Sequence, residues 1–137
     1  MSWTVAVAIA AGGAIGAPLR HVIYTRVTAS LRTERAHRFP WGLLAVNVVG
    51  CALIGALAPV LANRAAWLAG FTITGFLGGF TTYSAFAEET FLLLDRGDAG
   101  GVVLAAIYVL ATIAATAAAV SLGSRISPAR PVGESAP

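Results

Sequence analysis

The chain has 137 residues, of which 58% are hydrophobic and 11% charged, and a formal net charge of +3. Its mean hydropathy is +0.81, and soluble domains carry roughly 25% charged residues. A soluble domain is therefore excluded, and the length allows one membrane-embedded domain built from runs near the ~20 residues that a spanning helix needs.

Four such runs are predicted, at residues 3–24, 41–62, 67–94 and 101–122. Trp3, Trp41 and Trp67 each open a run, where an indole suits the membrane interface. Polar connectors are expected at residues 26–38, 62–65 and 95–98, with a disordered tail over 124–137 after a four-helix transmembrane domain of residues 1–123. The first run has the apolar core of a signal peptide. No Lys or Arg precedes it and it continues past any cleavage point, which favours a retained helix.

The first span holds Gly12 and Gly16, a small-xxx-small pair that lets another helix approach closely, and then Arg20 near its end. Arg20 either snorkels to the headgroups or puts a fixed positive charge at the mouth of a water-filled vestibule. The second span carries one strongly polar residue, Asn47, whose amide either joins two helices or offers N–H donors to an anion. Cys51 in the same span has no intrachain partner and is expected to be a small buried filler.

The third span is the outlier. It contains GFLGGFTTYSAF (residues 75–86), in which tandem glycines and then Thr and Ser weaken the helix. A break is expected near residues 78–84. In lipid it survives only where protein or water covers the freed backbone groups, so exposed carbonyls could bind a cation and a restarting helix could offer donors to an anion. Tyr83 and Phe86 then share a face of the restarted helix, with Glu89 three residues further on. Their ring edges suit an anion path, although a packed aromatic pair would look the same in sequence. Ser84 and Glu88 extend the polar character. In the fourth span Tyr108, Thr112 and Thr116 recur every four residues and form one hydroxyl stripe, provided the threonines do not bond to their own helix.

No metal-ligand cluster, phosphate-binding glycine loop or nucleophile with a His base stands out, so an enzyme is not expected. Every basic residue is Arg, placed at span ends, which argues against nucleic acid. Arg26, Arg32, Arg35, Arg38 and Arg96 fall on one predicted side and Arg64, Arg125 and Arg130 on the other, a bias too small to fix an orientation.

GGAIGAPLRH (residues 12–21), PWGLLAVNVVG (40–50) and GFLGGFTTYSAFAEE (75–89) together resemble the Fluc fluoride channels, also called the CrcB family. The resemblance implies an all-α protein of the plasma (inner) membrane with four spans and a broken third helix. It also implies an antiparallel dual-topology dimer that exports fluoride passively, with a structural sodium ion at the dimer interface. Dual topology would explain the weak arginine bias. By the same resemblance Asn47, Tyr83, Ser84, Phe86, Tyr108, Thr112 and Thr116 line the fluoride pathway, and Arg20 lies in the vestibule. The carbonyls of Gly78 and Thr81 bind sodium, and Glu89 is the glutamate after the motif. Three positions depart from the family pattern: Tyr83 for a phenylalanine, Leu43 for a threonine, and His21 for a tyrosine. They leave open a heterodimer with a homologous chain. A proton-coupled exporter of the small multidrug type is the alternative, but it needs a glutamate that the first span lacks. A non-transporting subunit held together by glycine packing is the third reading.

Overall fold

In a computed structural model, residues 2–30 and 39–126 are described. Arg32, Arg35, Arg38, Arg130 and the tail from residue 127 lie outside them. Helix α1 spans Trp3–Ser30 and α2 spans Trp41–Leu61. The third crossing is a chain of pieces: α3 (Ala66–Ala69), a π-helical segment (Gly70–Leu77), α4 (Gly78–Phe80) and α5 (Tyr83–Leu94). Helix α6 (Ala99–Ile126) completes the bundle. Three of these helices, α1, α2 and α6, are continuous and apolar enough to cross a membrane. With the interrupted one they make the four expected crossings. Trp3, Trp41 and Trp67 are all exposed at helix starts, as interfacial anchors should be.

Two boundaries differ from the sequence expectation. Helix α1 runs six residues past Tyr24, taking Arg26 into the helix, because nothing in HVIYTRVTAS breaks a helix. Helix α6 ends at Ile126, with Arg125 in its last turn where a cation is favourable, so its end lies inside the segment expected to be disordered. The turn before α6 is made by Gly97 at φ 70°, and the Gly101 N–H donates to Asp98 Oδ1 at 2.6 Å.

Small residues set the packing, as they must where lipid supplies no hydrophobic drive between helices. Helix α1 lies against the π-helical segment and α4, while α2 lies against α6. A Cβ on Gly12 would meet the Phe71 carbonyl oxygen at 2.2 Å, and one on Gly16 the Phe76 carbonyl oxygen at 2.1 Å. The same holds between α2 and α6, where a Cβ on Gly55 would lie 2.2 Å from the Val120 carbonyl oxygen. The π-helical segment serves this contact. Hydrogen bonds from i to i+5, such as the Gly78 N–H to the Ile73 carbonyl, put residues five apart on one face. Gly70 and Gly75 thereby both turn toward α1.

Candidate ion pathway

The tandem glycines are not the break. Gly78 is helical at φ −65°, ψ −34°. Gly79 gives room to α1, since a Cβ there would approach Gly13 Cα at 3.1 Å. The chain leaves the helix at Thr81 (φ −82°, ψ 155°) and Thr82 (φ −154°, ψ 130°) and restarts at Tyr83. Two side chains make this possible. The Asn47 amide clamps Thr82 from both sides: its Oδ1 accepts from the Thr82 N–H at 3.0 Å and its Nδ2 donates to the Thr82 carbonyl at 3.3 Å. Thr82 in turn caps α5, its Oγ1 accepting from the Ala85 N–H at 3.3 Å.

These bonds redirect two donors. In an unbroken helix the Thr82 N–H would serve the Gly78 carbonyl and the Ala85 N–H the Thr81 carbonyl. Both N–H groups are occupied elsewhere, so the Gly78 and Thr81 carbonyls are among those that the break relieves of helical donors. Asn47, 6% exposed, is thus first a brace between α2 and the break, which leaves its second N–H for the cavity it lines.

That cavity, about 530 Å³, is lined by Asn47, Gly78, Thr81, Tyr83, Phe86, Thr112 and Thr116 among others. Seven of the residues expected from sequence therefore meet in one place. Tyr83 is 80% exposed, its ring centroid 5.7 Å from that of Phe86. Phe86 stands 5.3 Å from Tyr108, which is fully buried and also makes a T-shaped contact with Phe39. The hydroxyl stripe on α6 is uneven. Thr116 Oγ1 donates to its own helix at the Thr112 carbonyl, 2.7 Å away, as an isolated threonine would. The hydroxyls of Tyr108 and Thr112 are buried without a partner among the described residues. Buried polar groups in a folded protein are nearly always paired, so these two hydroxyls, one turn apart on α6, are free to turn to each other or to a polar guest.

Ser84 does not join this cavity. It bonds to Thr82 Oγ1 at 3.0 Å and faces a second cleft of about 490 Å³ with Arg20, His21, Tyr24, Leu43, Glu88 and Glu89. Arg20 and Glu89 are half-buried there and the cleft carries both signs of charge, as a vestibule would. Leu43, the departure from threonine, is buried at its wall. Sequence reasoning passes over Tyr24, whose hydroxyl donates to Glu89 Oε1 at 2.5 Å. Its position four residues after Arg20, on the same helix face, was the available signal. Cys51 is not a buried filler, because one turn after Asn47 it is half-buried and borders the cavity.

An interrupted membrane helix, with a cavity of neutral donors and a charged cleft on the residues that flank its restart, defines a multi-pass membrane protein of the ion-conducting class. The family model for CrcB-like protein, Camphor Resistance (CrcB), matches residues 7–124. A protein of Rhizobium leguminosarum bv. trifolii (strain WSM2304) is 45% identical over 121 residues, covering 86% of this chain and 91% of the relative. One of Paracoccus denitrificans (strain Pd 1222) is 42% identical over 116 residues, covering 84% and 87%. One of Nitrobacter winogradskyi is 36% identical over 131 residues, covering 92% and 97%. All three bear the name fluoride-specific ion channel FluC. The chain belongs to the CrcB family.

Proposed function

We infer that the chain is a passive, fluoride-selective channel of the bacterial plasma membrane that lets cytoplasmic fluoride out. The observation that carries this reading is the pair of buried hydroxyls, Tyr108 and Thr112, left without partners behind Phe86. Fluoride is small and strongly hydrated, so a pathway must replace its water with donors. Neutral hydroxyl, amide and ring-edge donors do so without holding the ion too firmly to leave. The names of the relatives point to the same ion. An exporter of the small multidrug type is disfavoured, since α1 contains no Asp or Glu.

The cavity opens to one side, and Tyr83 stands 80% exposed beside it. In a lipid bilayer such a wall of freed backbone and phenol needs a protein cover. A second copy, packed antiparallel as the family resemblance implies, supplies it. The Gly78 and Thr81 carbonyls fit a hard cation such as sodium, which takes oxygen ligands. In that assembly they would hold the ion at the interface, where it fixes the two breaks against each other. Ser84 and Arg20 would then serve the vestibule, with Asn47, Tyr83, Phe86, Tyr108, Thr112 and Thr116 along the pathway.

Purified protein in liposomes, with fluoride and chloride efflux read by ion-selective electrodes, tests this. Rapid fluoride efflux without chloride efflux and without a proton gradient is expected, and equal leakage of both anions would refute selectivity. Phe86→Ile should lower fluoride efflux by about fivefold or more, losing a ring edge worth roughly 1 kcal/mol beyond its packing, while leaving the oligomer intact. Thr112→Val separates pathway from scaffold. Removing an unpartnered buried hydroxyl should hold or raise thermal stability, by up to ~1 kcal/mol, while efflux falls. A variant both less stable and fully conducting would mean that Thr112 is only a packing residue.

A further inference from the structure

The hydrogen bond between Tyr24 and Glu89 joins residues 65 apart in the sequence, at the edge of the charged cleft. Tyr24 projects from α1 with its ring against α2: a Cβ on Gly42 would meet Tyr24 Cδ2 at 3.2 Å. The ring is thus seated by packing, and the hydroxyl is left to reach α5. Glu89 lies three residues after Phe86, on the face of α5 that turns toward α6. Phe86 from that face packs at a tilt against Tyr108, whose hydroxyl has no hydrogen bond of ordinary geometry among the described residues. The carboxylate therefore sits between one hydroxyl that it binds and the side of the bundle that holds an orphaned one.

We propose that Tyr24 is a positioning residue for the pathway: its hydroxyl holds the Glu89 carboxylate against α1 and off the Tyr108 hydroxyl. The proposal rests on the fluoride-channel reading and assigns a task to a residue outside the cavity. A carboxylate is the strongest competitor for donors meant for an anion, and its charge repels the ion that follows. Released from Tyr24, it would take the orphaned donor at the end of the stripe and close the path. Bound to Tyr24, it leaves that donor to the permeating ion and still balances Arg20 across the cleft.

The test is a double-mutant cycle on the full chain in liposomes, with fluoride efflux measured for wild type, Y24F, E89Q and Y24F/E89Q, and each protein's thermal unfolding recorded. Phenylalanine keeps the ring over Gly42 and removes the hydroxyl. Y24F should lower efflux by about tenfold, the scale of one lost charge-assisted hydrogen bond, while E89Q conducts and the double variant matches E89Q. Tyr24 then matters only while Glu89 is charged, a dependence that a purely structural tyrosine would not show. Y24F at the wild-type rate, an equal loss in both backgrounds, or no efflux from E89Q would each overturn the proposal. A silent wild type would instead refute the channel reading itself, so the two failures are told apart by the first measurement.

Discussion

Gly16→Ala is expected to cost the protein its folded state in large part, seen as loss of the monodisperse peak in detergent and a lowered unfolding temperature. A Cβ at residue 16 would lie 2.1 Å from the Phe76 carbonyl oxygen and 3.0 Å from the Phe80 nitrogen, both backbone atoms that move only if the helices part. Overpacking costs about 1–3 kcal/mol in cores that can shift, and here the obstacle is a helix backbone, which puts the effect at the upper end. Parting the helices also disturbs the break. Phe80 and Thr81 are wedged against Gly50 on their other side, where a Cβ would approach Thr81 Cγ2 at 2.3 Å. Gly13→Ala is the control. Its nearest neighbour would be the Gly75 carbonyl oxygen at 3.8 Å, an ordinary contact, so the better helix propensity of alanine should leave stability unchanged or raise it by up to ~1 kcal/mol. If the two variants behave alike, close approach is not what these glycines provide.

Much of the architecture was legible in the sequence because lipid enforces few solutions. Apolar run lengths and the three tryptophans located the crossings, and GGFTTYS located the interruption, since a helix facing lipid cannot leave backbone groups unpaired. The cause of the interruption was not legible. Composition points to Gly78 and Gly79, yet they are helical, and the turn at Thr81 and Thr82 depends on an amide 35 residues away in sequence. A tertiary contact of that kind leaves no local pattern. The same limit applies at the site. The i, i+4 rule placed Tyr108, Thr112 and Thr116 on one stripe, but which hydroxyl bonds to its own helix depends on rotamers that spacing does not encode. Ser84 was placed on the pathway by the family resemblance, whereas the helix restart turns it into the charged cleft with Arg20.

Asn47→Ala should be the most damaging change to function, and a comparison with Asn47→Asp resolves why. Alanine removes both halves of the clamp, the acceptor for the Thr82 N–H and the donor to its carbonyl. Two backbone groups unpaired in an apolar setting cost on the order of 3 kcal/mol. The chain can escape that cost by returning the Thr82 N–H to the Gly78 carbonyl and healing the helix. A bias of ~3 kcal/mol toward the healed form lowers the population of the broken one by about 100-fold, and fluoride efflux should fall with it. Aspartate keeps the acceptor for the Thr82 N–H and so keeps the break, but it lacks the donors and brings a negative charge beside the cavity. Efflux should be lost there too, with the backbone unchanged. Amide hydrogen exchange at Thr82 separates the two: the pattern around the break should change in the alanine variant and persist in the aspartate variant. Efflux retained in Asn47→Ala would mean that the break stands without its brace, and the freed carbonyls of Gly78 and Thr81 would then need another cause.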